Sequence, residues 1–146
     1  MYNSSLKILR LLPPELSHTI TINFLKYFKV RQKNIEDSIL SQHLIGLDFS
    51  NPIGLAAGFD KNAEVMHSMF SFGFGFLEVG TITPDPQFGN PKPRLFRLLE
   101  EDALVNKMGF NNKGMLYVSK IARKPKLGIV GVNLGANAKS IDKILD

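Results

Sequence analysis

Apolar positions along the chain change their period twice. Leu6, Leu9 and Leu12 recur at helical spacing with Lys7 and Arg10 turned elsewhere, and Leu16, Ile20, Phe24, Leu25 and Phe28 form a second stripe edged by Lys26 and Lys29. Ser4 and Ser5 can cap the first of these helices, Pro13 and Pro14 end it, and Pro14 also suits the first turn of the next. Two short amphipathic helices are therefore predicted, followed by a basic, polar connector from Val30 to Gln42.

From His43 the pattern becomes strand-like. Leu44 to Phe49 predicts a short strand, Asn51-Pro52 a turn, and Ile53 to Gly58 a compact apolar strand. A helix from about Asn62 to Phe72 should bury Val65, Met66, Met69 and Phe70 and stop at Gly73; Phe76 to Thr81 reads as the next strand. Residues 82 to 111 are rich in proline and asparagine and contain two strand-like pieces, Arg94 to Leu98 and Leu104 to Lys107. A stretch that long inside a compact domain is usually functional. A helix from about Asn112 to Arg123 then leads to Leu127–Leu134, dense in Val, Ile and Leu and read as a strand buried on both faces. Ser140 opens another helix.

Strands alternating with helices imply an α/β fold with parallel strands, either an open doubly wound sheet or a (β/α) barrel. The absence of GxGxxG or a P-loop after the first strand argues against a dinucleotide site. A full barrel needs eight units and about 250 residues; three strands are expected here.

The totals narrow the partners. The 146 residues are 44% hydrophobic and 21% charged, which suits a packed globular chain, and the lack of cysteine removes disulfides, thiolate metal ligands and a cysteine nucleophile. The formal charge of +5 is scattered rather than clustered and comes without a nucleic-acid-binding motif, so no nucleic-acid partner is expected. His18, His43 and His67 are too dispersed for a metal site and are read as structural or solvated. No apolar stretch approaches the ~20 residues that span a bilayer. The amino terminus does not read as a signal peptide, so the protein is expected to stay on the cytoplasmic side.

In a parallel barrel the working residues lie beyond the carboxyl ends of the strands. That rule selects Ala57-Gly58-Phe59-Asp60-Lys61, Gly80-Thr81 and Asn133-Leu134-Gly135. Small residues at 56 to 58 would let a flat ring approach the backbone, or simply allow tight helix packing. Lys61 could neutralise an anionic substrate or a reduced cofactor, or decorate the surface. Thr81 and Asn133 offer donors and acceptors that could instead satisfy loop backbone. A fourth candidate, Asn106-Lys107-Met108-Gly109-Phe110-Asn111-Asn112, carries three asparagines around a Gly-Phe turn, suited to gripping a planar, amide-bearing carboxylate.

Taken together, NPIGLAAGFDKN (51 to 62), GFGFLEVGTITPDPQFGNPKPRLFRL (73 to 98), NKMGFNN (106 to 112) and GVNLGAN (131 to 137) resemble, in order and spacing, the class 2 dihydroorotate dehydrogenases. LLPPELSH echoes that family's amino-terminal pattern more loosely. The resemblance implies an incomplete (β/α)8 TIM barrel, about the first three βα units, preceded by two amphipathic helices. It implies residues 1 to 45 as a helical membrane and quinone segment and 46 to 146 as the amino-terminal part of an FMN-binding barrel.

The activity implied is oxidation of dihydroorotate to orotate, with FMN and a membrane quinone, in pyrimidine (UMP) synthesis. By the resemblance Ala57, Gly58, Phe59, Asp60, Lys61, Thr81 and Asn133 contact FMN. Lys61, Asn106, Lys107, Met108, Gly109 and Phe110 contact substrate. No metal is implied, and residues 5 to 28 are expected to rest on the cytoplasmic face of the cell membrane as a peripheral anchor. Lys107 stands where the family usually has arginine, and Ala136 where it has lysine. The serine base and the FMN phosphate loops of the family would lie beyond Asp146. The chain alone is therefore expected to be unstable and inactive, with a non-catalytic relic or membrane-surface module as the competing reading.

Overall fold

The protein is described by a computed structural model covering residues 7, 9–27, 38–123 and 128–141. Ser4, Ser5 and Leu6, Phe28 and Lys29, most of the connector, and nearly all of the helix predicted after Ser140 lie outside those residues. Residues 9–11 are helical, as the first apolar run predicts.

Helix α1, Pro14–Tyr27, begins on the predicted proline, and its orientation corrects the sequence reading. The buried side carries Ser17, Ile22 and Leu25. Leu16, Ile20 and Phe24, expected on a single stripe with Leu25, face outward and are 46%, 43% and 55% exposed. Polar contacts decide this: the side that docks also carries His18 and Ser17, both hydrogen-bonded to the body of the protein or to the chain before α1. The helix thus has two apolar faces, and the broader one is not packed.

The strand predicted over 44 to 49 is instead a hairpin, β1 (Gln42–Leu44) and β2 (Leu47–Phe49), turning at Ile45 and Gly46 with φ of 54° and 72°. Two successive positive φ values are what a two-residue hairpin loop needs. An isoleucine in such a turn hides the signal. The Asn51 side chain accepts the Ile53 amide at 3.0 Å, forming the expected turn into β3.

Strand β3 is only Gly54–Leu55 and pairs in parallel with β4, Phe76–Ile82, which pairs in turn with β7, Ile129–Leu134. This β3-β4-β7 sheet is the three-stranded parallel core that the alternation predicts. Between them come α2 (Met66–Ser71) and α3 (Met115–Ala122). Both start later than predicted. Asp60 caps a turn through residues 60 to 65 before α2, with Ala63 at φ 58°, and Asn112 bridges to Gln87 before α3. The two pieces of the long loop pair as the antiparallel ribbon β5 (Leu95–Leu98) and β6 (Ala103–Asn106).

The core joins Ile22 and Leu25 of α1 to Val65, Met69, Phe70 and Leu77, and continues through Ala63, Val79, Ile82 and Val118. Burying such aliphatic side chains contributes roughly 1.5–3 kcal/mol each before entropy is counted. Strand β7 is not buried on both faces. Val132 and Leu134 are 45% and 74% exposed because, among the described residues, only β4 pairs with it and nothing covers its other side.

Candidate functional site

The carboxyl ends of the three parallel strands meet through backbone bonds. The Gly58 amide donates to the Gly80 carbonyl at 2.9 Å and the Gly80 amide to the Asp60 carbonyl at 3.3 Å. Gly58 has φ 111°, and a Cβ placed there would meet nothing within 4 Å. Open space beside a backbone only glycine readily adopts is a cradle for a flat group. Gly80, at φ 112°, is different: a Cβ would come within 2.5 Å of the Asn133 carbonyl, so glycine there allows β4 and β7 to close together.

On that closure Thr81 donates to the Asn133 side-chain carbonyl at 2.7 Å, and the Asn133 amide donates to Glu78 at 3.1 Å. The sequence reading set Thr81 and Asn133 side by side without seeing Glu78, the third member. Alternation along β4 puts Glu78 and Thr81 on unlike parities, and only the register irregularity between Val79 and Ile82 lets both reach Asn133.

The segment 57 to 61 divides by role. Both Asp60 carboxylate oxygens are taken by backbone, the amides of Glu64 (2.7 Å) and Val65 (2.9 Å), and burial raises its carboxyl above the ordinary value against those bonds. Its side chain is a cap. The Phe59 carbonyl lies 2.7 Å from His18 Nε2, whose ring meets the Phe59 ring edge-on at 5.4 Å. Burial lowers the His18 pKa, so the ring is neutral and donates from Nε2. Lys61 is held by the Gly58 carbonyl at 2.6 Å, and burial pulls its ammonium below the usual lysine range, with Glu15 opposing.

The loop after β6 folds back over the same end. Gln87 donates to the carbonyls of Gly109 (3.1 Å) and Phe110 (3.2 Å), and Asn90 to that of Lys107 (2.7 Å). Gly109 and Phe110 both have positive φ. The Phe110 ring reaches to 3.8 Å from a Cβ built on Gly135, which ties this loop to the end of β7. Of the asparagines, Asn112 is consumed by Thr83, Phe110 and Gly114, and Asn106 accepts the Met108 amide at 3.4 Å. Asn111 differs: its side-chain carbonyl oxygen is buried without a partner. The Lys107 side chain is exposed.

Lys61, Met108 and Asn111 share a cavity of about 280 Å³ whose roof is α1, contributing Glu15, His18, Thr19, Ile22, Asn23 and Lys26. The structure therefore brings Lys61 and the asparagine loop together and sets α1 across them. What sequence reasoning missed is how α1 is held there. Arg94, 6% exposed, pairs with Glu15 at 2.6 Å and also donates to the carbonyls of Phe88 and Asn90. Arg97 donates to the carbonyls of Arg10 and Leu12 and to Ser17. The available signal was two arginines three apart in a short apolar strand, opposite a helix with Glu in its first turn. Among the described residues no cluster of His, Asp and Glu could hold a metal ion.

Known proteins agree with this geometry. The profile of the family described as Dihydroorotate dehydrogenase matches residues 39–146. The chain is 51% identical over 144 residues to a "Dihydroorotate dehydrogenase (quinone)" of Rhodopseudomonas palustris, covering 97% of this chain and 40% of the relative. It is 53% identical over 137 residues to the protein of the same name from Bartonella tribocorum, covering 93% and 38%. A crystal structure of ligand-free DHODH from Eimeria tenella superposes with a TM-score of 0.82 at 40% identity, over 91% of this chain and 40% of that one. A second, in complex with ferulenol, gives 0.80 at 41% identity, over 88% and 37%. The chain thus spans about 40% of the length of the curated relatives it matches. With its parallel sheet, its glycine-lined strand ends and a family profile over most of its length, this chain belongs to the dihydroorotate dehydrogenase family, in the quinone-type branch.

Proposed function

We propose that residues 57 to 61, Thr81, Asn133 and 106 to 110 form one wall of the flavin and substrate site of a quinone-linked dihydroorotate dehydrogenase acting in pyrimidine synthesis. The observation that carries the reading is the shared cavity of Lys61, Met108 and Asn111 beside three joined strand ends, with α1 laid across it. The residues suit FMN. The open space at Gly58 takes a flat ring, and Thr81, Asn133 and Glu78 present an amide and a hydroxyl at the strand end. When bound, FMN supplies a hydride acceptor.

The chain's own residues bind and orient. The Lys61 ammonium, partly desolvated, is placed to meet a carboxylate or the negative charge of a reduced ring. The Asn111 side-chain carbonyl, buried without a partner, offers an acceptor for the ring amides of orotate, and the exposed Lys107 keeps a positive charge beside it. The Asp60 side chain contributes by fixing the turn that carries Lys61.

The outward apolar residues of α1, Leu16, Ile20, Phe24 and Tyr27, support peripheral contact with the cytoplasmic face of a membrane that holds the quinone. Among the described residues no helix is long and apolar enough to cross a bilayer. On this reading the segment through residue 45 serves the quinone and the remainder serves FMN.

The test uses a hybrid of this chain with the remaining portion of the Rhodopseudomonas palustris relative, loaded with FMN. Amide hydrogen exchange with and without orotate is expected to slow at residues 57 to 61 and 106 to 110 together. Orotate binding that leaves both segments unchanged contradicts the proposal.

A further inference from the structure

Glu64 sits three residues beyond Lys61, in the turn that Asp60 caps, and its carboxylate is the meeting point of three elements. One oxygen accepts Lys113 Nζ at 2.7 Å and the Tyr117 hydroxyl at 2.8 Å; the other faces Lys26 Nζ of α1 at 3.1 Å. Lys113 lies 4.4 Å above the Tyr117 ring, and its amide is held by Asn62 at 2.9 Å. The Glu64 side chain is 10% exposed and that of Lys26 26%. Lys26, Glu64 and Lys113 also line one side of the cavity under α1.

We propose that Glu64 is a positioning residue: it latches the carboxyl-terminal half of α1 over the strand-end cavity through Lys26 and braces that latch on Lys113 and Tyr117. The other end of α1 has its own clamp, Glu15 on Arg94 and Lys92, and the middle is tied by His18 to the Phe59 carbonyl. Between them lie the apolar contact of Ile22 and Leu25 on Val65, Met69, Phe70 and Leu77 and a hydrogen bond from Ser68 of α2 to the Leu25 carbonyl at 2.7 Å. With two apolar side chains of α1 buried, its ion pairs carry part of the seating.

The groups facing Glu64 are Lys26 from α1, Lys113 just before α3, Tyr117 within α3, and Asp60 from its own turn. Burial alone would raise the Glu64 carboxyl, but the hydrogen bonds from Lys113, Tyr117 and Lys26 outweigh it and hold it below the ordinary value. The carboxylate is thus charged at neutral pH and keeps two ammonium groups together that would otherwise repel. The latch acts on the helix whatever ligand the cavity takes.

Hydrogen exchange of residues 22 to 27 in the full chain tests this, since local opening is read directly from amide exchange. In the unaltered chain these amides are expected to exchange faster as sodium chloride rises from about 0.05 to about 0.5 M, because salt screens a partly exposed pair. Glu64→Gln should accelerate them about tenfold at low salt and abolish the salt dependence, with Glu64→Asp restoring part of both. Lys26→Met should match Glu64→Gln in α1 while leaving the amides of residues 115 to 118 protected. Should Glu64→Gln unfold the chain, Lys26→Met on the helix surface decides alone. Unchanged exchange of α1 in Lys26→Met, or a salt dependence that survives Glu64→Gln, overturns the proposal.

Discussion

Asp60 and Lys61 are adjacent and do opposite work. The carboxylate of Asp60 is turned inward onto the Glu64 and Val65 amides of the turn before α2, and Asp60→Ala should destabilise the chain by about 1–3 kcal/mol, the usual cost of leaving buried donors unpaired. Denaturant unfolding checks it, and an unchanged midpoint would show that the turn closes without the cap. The sequence led to Lys61 through a rule about strand ends, which is a statement about topology and needs no side-chain detail. That rule cannot separate Asp60 from Lys61, because which of two neighbours points inward is decided by the turn's backbone, with Ala63 at positive φ. Glu78 was invisible for a similar reason. In a regular strand it would face away from Thr81, and only the irregular β4 pairing unites them with Asn133.

At the scale of the element, α1 was legible as a helix and illegible as an orientation. Its apolar residues cover more than one face, so periodicity gave the stripe of Leu16, Ile20 and Phe24, whereas the docked side is chosen by Arg94, Arg97 and Glu64 from distant parts of the chain. Arg94→Met is expected to cost about 3 kcal/mol, since it leaves the Glu15 carboxylate poorly solvated and without its main partner. Adding Glu15→Gln to it should cost little more, a coupling that a double-mutant cycle measures.

The same pairs set a pH dependence. The Arg94 hydrogen bond holds Glu15 below its ordinary 4.5, and the network around it does the same for Glu64. Both are therefore lower folded than unfolded. Their stabilisation is complete above about pH 4.5 and is lost as pH falls through the folded values. Asp60, raised by burial, acts in the opposite sense and blunts the effect. The protection of α1 against exchange, taken relative to the intrinsic amide rate at each pH, is expected to fall in acid before that of β4; simultaneous loosening of both would assign the acid response to global unfolding.

Across the whole molecule, the parallel core and the two strand pieces of the long loop follow from patterns in the chain, because each rests on local periodicity or on glycine and proline punctuation, whereas the meeting of Lys61 with the asparagine loop was implied by the family resemblance alone. Burial of β7 does not, since a strand rich in Val and Ile specifies a need for cover without supplying it, and Leu134 remains open. The outward face of α1 belongs to this scale too. Leu16→Ser with Ile20→Ser should cut flotation with anionic liposomes several-fold while leaving α2 and β4 intact, each lost leucine or isoleucine being worth roughly 1.5–3 kcal/mol of burial. Equal flotation of the double variant would place membrane contact elsewhere.

Lys61 and its neighbours are proposed as a working wall of the site. The most direct measurement is anaerobic mixing of the FMN-loaded hybrid with dihydroorotate, following loss of the yellow flavin absorbance, with Lys61 intact and as Lys61→Met. The account requires rapid bleaching with Lys61 and bleaching slower by about a hundredfold or more without it, at equal flavin content, the scale of losing one charged stabilising contact. Equal rates for the two, or no bleaching by a folded hybrid that retains its flavin, would contradict it.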